Sequence, residues 1–249
     1  MQLKTQGLII KERPIGENDR LVTILTKDEG VIRAFARKAM NLKDNKNSAT
    51  QLLCYSRLSI YKGREKYIIN DARPIEVFFG LRSDISKLAL AQYFCELAAL
   101  LAPEGVDSSE FLRVVLNAMH FLCSGKHSCA LLKAIVEMRM LSFSGYMPNL
   151  VCCTNCVAYE TGTMCFLINK GELYCADCFS GLGLNEPHVQ LSPGALKAMR
   201  HIVFSDFDKL FSFNLAESAQ KELGHACEAY ILSILQCKPG TLDFYHAIL

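Results

Sequence analysis

No run of this sequence is apolar enough to cross a bilayer. The longest weakly charged stretch, 88–103, is broken by Gln92 and Glu96 and falls short of the roughly 18 to 20 apolar residues a span requires. Disulfide-stapled architecture is also unsupported, because twelve cysteines in 249 residues lie below the density of small secreted scaffolds. Reduced thiols and a metal are the better reading. The N-terminal Met1-Gln2-Leu3-Lys4-Thr5 leads directly into strand-like alternation without an apolar segment or a small-residue cleavage site, so a cytoplasmic protein is expected. With 51% hydrophobic and 21% charged residues, disorder is excluded and a sizeable core is available to one large or two modest domains.

Catalytic constellations are missing too. There is no phosphate-binding loop, since Gly125-Lys126-His127 lacks the upstream glycine. Neither H-E-x-x-H, nor the zinc-deaminase pattern, nor a G-x-S-x-G elbow occurs. The six histidines, at 120, 127, 188, 201, 225 and 246, stand singly and offer no triad. No acidic cluster has magnesium-ligand spacing, so a nuclease has no support. The expectation is a protein without a chemical step.

What the sequence has is asymmetry. The net charge of +2 divides into +6 over residues 1–80 and −4 over the remainder, which makes the front a candidate for polyanions. Nine basic residues fall between Arg33 and Lys66 (Arg33, Arg37, Lys38, Lys43, Lys46, Arg57, Lys62, Arg64 and Lys66), opposed only by Asp44 and Glu65. Five short runs of period two lie in this region, near Gly7 to Arg13, Leu21 to Thr26, Val31 to Arg37, Leu52 to Tyr61 and Lys66 to Arg73. Turn-forming residues separate them, at 14–19, 27–30 and 62–64, so a small five-stranded barrel is expected. The polar segment 38–50 should be a mobile loop.

Alternation groups Arg33, Phe35 and Arg37 on one face of the third strand and Tyr55, Arg57 and Tyr61 on one face of the fourth. Arginines that hold phosphates beside rings that stack on bases are what a single-strand groove requires. With the +6 balance of the front, the candidate contacts to a nucleic-acid strand are Arg13, Arg20, Arg33, Phe35, Arg37, Lys38, Lys43, Tyr55 and Arg57. The competing reading places Phe35 and Tyr55 in the core with the arginines at its rim.

After Pro74 the spacing becomes helical, with Leu81, Ile85, Leu88, Ala89, Phe94, Leu97 and Leu101 on one broad stripe. Asp107 and Glu110 have the form of a capping box, and Ser192-Pro193 of a cap followed by proline at the first helical position. Helical period fails between Pro148 and Pro187. There Cys153-Thr154-Asn155-Cys156 and Cys175-Ala176-Asp177-Cys178 give C-x2-C-x18-C-x2-C, the spacing of a four-thiolate zinc ribbon. With four protein ligands such a zinc is structural, one per chain. Cys152 offers a less regular alternative to Cys153. Cys165 and the scattered Cys54, Cys95, Cys123, Cys129, Cys227 and Cys237 are expected to pack as small hydrophobes.

These residues resemble the RecO family of recombination mediators. Gly7-Leu8-Ile9-Ile10-Lys11, Gly16-Glu17-Asn18-Asp19-Arg20, the run Leu21 to Thr26, Gly30 and Ala36-Arg37 are similar to its opening. Pro148-Asn149-Leu150 before the four cysteines is similar to its zinc module. The resemblance implies an α+β multi-domain chain with an N-terminal OB-fold β-barrel at 1–80, then an all-α domain at 81–249 carrying an inserted four-cysteine zinc ribbon at about 149–187. It further implies DNA repair and homologous recombination: binding of single- and double-stranded DNA, annealing of complementary strands and, with RecR, loading of RecA onto strands coated by the single-strand binding protein. A groove for that protein's apolar, acidic C-terminal tail is then expected on the helical half, near Arg113, Lys126, Lys133 and Arg139; the plainer reading makes these solvated helix charges. Two departures from the family pattern stand out. Lys38-Ala39-Met40-Asn41-Leu42-Lys43 replaces a denser arginine and glycine run, and Val157 replaces a glycine after the first cysteine pair. The alternative function is a zinc-ribbon adaptor whose barrel contacts protein instead of DNA.

Overall fold

The computed structural model describes residues 2–63 and 66–249, so Arg64 and Glu65 of the basic stretch, the first of them also in the turn at 62–64, lie outside the described residues. Two compact units are present, residues 1–126 with 239–249, and residues 127–238.

The first unit is built on strands β1 (Gln2–Ile15), β2 (Asp19–Thr26), β3 (Val31–Ala36), β4 (Cys54–Lys62) and β5 (Tyr67–Val77), closed into a barrel in the order β1-β2-β3-β5-β4. All pairs are antiparallel except β3 with β5, where Ala34, Phe35 and Ala36 face Tyr67, Ile68 and Ile69. That single parallel pair closes the five-stranded OB topology. Inward positions follow the period of two: Ile32, Ala34 and Ala36 on β3 and Cys54, Leu58 and Ile60 on β4 join Ile9, Val22, Ile24 and Ile69 in one core. Strand β1 departs from simple alternation. Its register shifts between Ile9 and Lys11, and Leu8, Ile9 and Ile10 are all buried. The bulge lets a 14-residue strand bend around the barrel, and helices packed on its outer side bury Leu8 and Ile10.

Three helices complete this unit: α2 (Ile85–Leu101), α3 (Ser109–Ser124) and α8 (Gly240–Ala247). Asp84 caps α2 by accepting from the amides of Ser86 and Lys87 at 3.0 and 3.2 Å. The expected capping box at α3 is not formed in that way: Ser108 is the cap residue, and Asp107 Oδ1 instead accepts from the amide and hydroxyl of Ser109. The carboxylate of Glu96 on α2 accepts from the Thr241 amide at 2.9 Å and from its hydroxyl, which ties in α8.

The segment 38–50, expected to be a mobile loop, is folded onto the barrel. It contains the helical turn α1 (Lys46–Ala49), and Ala39, Ala49 and Thr50 are fully buried. The expectation failed because polar composition reports solvation of a segment's outer side and says nothing of small residues beneath it.

In the second unit α4 (Cys129–Phe143) is buried from Leu131 to Met138 and packs against α6 (Pro193–Phe204) and α7 (Glu217–Leu235). A three-stranded antiparallel sheet, β7-β6-β8, is formed by β6 (Met164–Leu167), β7 (Glu172–Cys175) and β8 (His188–Leu191), and the short α5 (Ala176–Gly181) follows β7. Ser192 caps α6 by accepting from the Ala195 amide, with Pro193 at the first helical position. Of the cysteines expected in cores, Cys54, Cys95, Cys165 and Cys227 are buried and Cys123 and Cys129 half-buried, but Cys237 is exposed because it follows the last turn of α7.

Gly30 fixes the barrel against its helices. Its φ is +62°, and a Cβ there would lie 1.8 Å from the Pro103 carbonyl oxygen. The Val31 amide donates to that same oxygen at 3.2 Å, and the amides of Gly105 and Ser108 donate to Glu29 and Lys27. Replacing Gly30→Ala forces both a left-handed backbone and a clash with main chain, so the first unit should lose about 2 kcal/mol or more. Urea unfolding would check this; an unchanged midpoint would mean that the seam is not fixed by close approach.

Candidate nucleic-acid interface and metal centre

The turn between β1 and β2 organises the basic end of the barrel. Gly16 takes a φ of +59°, which a tight reversal there requires. Two residues of the reversal then reach into the segment after β3. The Asn18 carbonyl accepts from the Met40 amide at 3.0 Å, and Asp19 Oδ1 accepts from the Lys38 amide at 2.9 Å. Lys38 itself adopts a φ of +58°, so the carboxylate holds a backbone conformation that a lysine does not choose unaided.

Arg20 completes the clamp. It is 6% exposed; its Nη1 donates to the Asn47 carbonyl and to Thr50 Oγ1 at 3.0 and 2.9 Å, its Nη2 approaches Met40 Sδ, and its Nε lies 3.0 Å from Glu12 Oε2. Sequence reading placed Arg20 among the DNA contacts. Buried with these partners, it acts on the loop.

The remaining basic and aromatic residues separate into three groups. Cross-strand pairing aligns Arg13, Leu21, Phe35, Ile68 and Tyr61 in one row on the outer barrel surface. Phe35 and Ile68 are half-buried, and with Asp19, Arg37 and Lys66 they line a shallow pocket of about 160 Å³. Arg37, Lys38 and Lys43 are exposed, and none of the three is in an ion pair among the described residues. OB barrels in general hold oligonucleotides on the face of their second and third strands, and Leu21 and Phe35 of this row lie on those strands.

Arg33, although on the same side of β3 as Phe35, faces a different environment. With Lys11 and Thr23 it lines a cleft of about 490 Å³ whose other wall includes Gln92, Glu96 and Leu100 of α2, together with Glu104. Acidic groups in that cleft weaken its pull on phosphate.

Tyr55 and Arg57 lie on the β1–β4 side. The Tyr55 hydroxyl donates to Gln6 Oε1 at 2.6 Å and the ring is half-buried, while exposed Arg57 borders a depression with Lys4, Lys27 and Asp28. Burial raises the Tyr55 phenol and the Arg57 charge partly offsets it. Lys66 and Ile68 were missed by sequence reading, since only the parallel register of β5 on β3 brings them beside Phe35.

Of the four helical cations, Arg113 and Lys126 are exposed, with the Lys126 ammonium 5.6 Å from the centre of the Phe121 ring. Lys133 and Arg139 are not solvated helix charges. Lys133 is 5% exposed and bridges Glu137 and Glu228 at 2.7 Å each. Burial opposes its charge, but the two carboxylates prevail and raise its pKa. Arg139 donates to the carbonyls of Ile202, Val203 and Ser205, and so satisfies the open C-terminal end of α6.

The cysteines anticipated from spacing converge. The Sγ atoms of Cys153, Cys156, Cys175 and Cys178 all lie within 4.8 Å of one another, and those of Cys156 and Cys175 are 3.7 Å apart. A tetrahedron with zinc–sulfur bonds of about 2.3 Å has edges of about 3.8 Å, so the donor set fits a metal of that kind. Cys152 is half-buried and outside the cluster; Cys165 is buried within β6. Amide groups already point at the sulfurs: Cys175 N–H at Cys153, Cys178 N–H at Cys175, and the Asn155 side chain at Cys178. Burial pushes the Cys153 thiol up, but the amides of Cys156, Cys175 and Asn155 bring it down to about 6.

Val157 closes the first cysteine turn, its amide donating to the Cys153 carbonyl at 2.9 Å, with a φ of +63°. A β-branched residue is strained there.

An OB-topology barrel and a helical unit that carries a four-thiolate cluster define an α+β protein with one candidate nucleic-acid face and one candidate metal centre. Residues 1–78 match the family model described as Recombination protein O N terminal, and residues 82–242 match Recombination protein O C terminal. The chain is 34% identical over 242 residues to the DNA repair protein RecO of Acetivibrio thermocellus, covering 97% of this chain and 95% of the relative. It is 25% identical to that of Alkaliphilus metalliredigens, covering 93% of each, and 28% identical to that of Dehalococcoides mccartyi, covering 96% and 93%. The chain belongs to the RecO family of DNA repair proteins. No helix among the described residues is long and apolar enough to cross a membrane.

Val157→Gly should relieve the strained turn and stabilise the second unit by roughly 1 kcal/mol, the strain removed exceeding the entropy glycine adds to the unfolded chain. Thermal unfolding of metal-loaded protein checks this; a lower midpoint would show that the valine side chain contributes more than its backbone costs.

Proposed function

We propose that this chain is a recombination mediator that binds single- and double-stranded DNA and anneals complementary strands. With RecR it promotes loading of RecA onto strands coated by the single-strand binding protein, and it performs no chemical step. Its place of action is the nucleoid, in the cytoplasm. In this reading residues 1–80 are the DNA-binding domain and residues 81–249 the helical domain, with the ribbon at about 149–187.

The observation that carries the reading is the barrel end where Phe35, Arg37, Lys66 and Ile68 share a pocket beside the exposed Lys38 and Lys43. Cations there hold phosphates while Phe35 offers a face to a base. Arg13 extends the row, Arg20 acts through the loop it holds, and Arg33, Tyr55 and Arg57 are secondary contacts.

The four cysteines hold one structural Zn2+, which closes the ribbon and leaves no open coordination position. The tail of the single-strand binding protein meets the helical half at cations that include Arg113 and Lys126. Lys133 and Arg139, held by internal partners, shape the unit without touching that tail.

Metal analysis of purified protein should find one zinc per chain, lost in Cys175→Ser; a value near zero in the parent protein would contradict the zinc assignment. The DNA reading is tested by oligonucleotide binding across a salt series. Arg37→Glu with Lys38→Glu should weaken binding at least about tenfold and lower the salt slope by roughly two, whereas Arg33→Glu alone should lower it by less than one. Equal affinity and slope in the double variant and the parent protein would exclude this face and favour the adaptor reading.

A further inference from the structure

Leu42 is the most exposed large hydrophobic residue described, at 89%, and it stands on a segment that is not loose. Three linked turns run through the segment: the Asn41 amide donates to the Lys38 carbonyl, the Asp44 amide to that of Asn41, and the Asn47 amide to that of Asp44, at 2.9 to 3.1 Å. Side chains brace each turn. Asn41 Oδ1 accepts from the Lys43 amide, Asp44 Oδ1 from the Lys46 amide, and Asn47 Nδ2 donates to the Ala39 carbonyl. The segment is fastened at its base by Asp19 and Arg20, and it is seated by the buried Ala39 and Ala49.

Leu42 and Lys43 therefore occupy the two central positions of the turn 41–44. Turns favour polar residues or glycine at their tips, and a leucine held in water there gains nothing for the fold. Its neighbours indicate what covers it. Lys38 and Lys43 are exposed and lack an acidic partner among the described residues, and Asp19, which accepts from the Lys38 amide at the start of the segment, also lines the pocket of Phe35 and Arg37. An apolar tip between unpaired cations suits a polyanion with apolar faces inside it, which is the chemistry of a nucleic-acid strand. A hydrophobic protein surface would require the two ammonium groups to be desolvated without compensation.

We propose that Leu42 is a wedge that enters between adjacent bases of a DNA strand whose phosphates are held by Arg37, Lys38 and Lys43. The inference rests on the DNA reading of the same barrel end and adds to it a way of acting. A strand with one base step opened cannot continue its own stack across that step, and the edges of the separated bases are free to meet a complementary strand. Rigidity of the three turns is essential, because a wedge on a mobile loop would fold back onto the barrel instead of entering the stack.

The test uses the full chain and single-stranded oligonucleotides carrying 2-aminopurine, whose fluorescence rises when it leaves the stack. The parent protein should raise the signal at one position of the bound strand. Leu42→Ser should abolish most of that rise, weaken binding by about fivefold and leave the salt slope unchanged, because phosphate contacts remain. Leu42→Phe should keep the rise. The residue is almost wholly exposed, so folding is not at risk, and unfolding midpoints of the variants should match that of the parent protein. An unaltered fluorescence rise in Leu42→Ser would overturn the proposal and point to a protein contact at this tip. Failure of the parent protein to bind the oligonucleotide at low salt would overturn the DNA reading itself.

Discussion

The guanidinium of Arg20 is a full positive charge almost entirely withdrawn from water, and the basic end of the barrel depends on how it is satisfied. Its donors reach the Asn47 carbonyl and Thr50, and Glu12 balances the charge from β1. Asn47 and Thr50 belong to the segment that follows β3 and Glu12 to β1, so one side chain on β2 joins all three. Losing it would strand a partly buried carboxylate and two acceptors, a penalty of about 3 kcal/mol or more by analogy with broken buried pairs. Asp19 next to it performs the complementary task, holding the Lys38 amide in a left-handed backbone. Adjacent residues of opposite charge thus fix a segment that its composition would leave free.

Cations on a mobile loop would bind phosphate at an entropic cost of ordering, whereas cations on a clamped loop present their charge already arranged. Lys38 owes its backbone conformation to Asp19, and the segment that carries Lys43 is held by Arg20. The second unit uses buried charge in the same manner. Lys133 bridges two carboxylates between α4 and α7, and Arg139 closes the end of α6, so cations resembling a surface patch in one dimension hold helices together in three.

Much of the architecture was legible because its signals are local. Strand alternation at Ile32, Ala34 and Ala36 and the paired cysteines at 153, 156, 175 and 178 each report on neighbours within a turn or a hairpin, and the structure gives them the arrangement their spacing implies. The resemblance to the RecO family, carried by Gly16 to Arg20 and by the cysteines, agrees with both family models. Less was readable where partners are distant. Arg20 meets Asn47 and Thr50 some thirty residues later, and no pattern around it announces a buried arginine. Arg33 and Arg37 look equivalent on one strand face, yet the first borders a cleft walled by α2 and Glu104 and the second the pocket of Phe35 and Ile68. Lys66 and Ile68 join Phe35 only through a parallel register that no turn specifies.

In this view the Asp19 and Arg20 clamp, and not basic composition alone, prepares the barrel end for DNA. Hydrogen exchange at the amides of Lys38 and Met40, followed with oligonucleotide affinity in the parent protein and in Asp19→Ala, measures it most directly. Protected amides are expected in the parent protein, with faster exchange in Asp19→Ala and weaker DNA binding although every cation of the face remains. Fast exchange of both amides in the parent protein, or undiminished affinity once the clamp is gone, would contradict it.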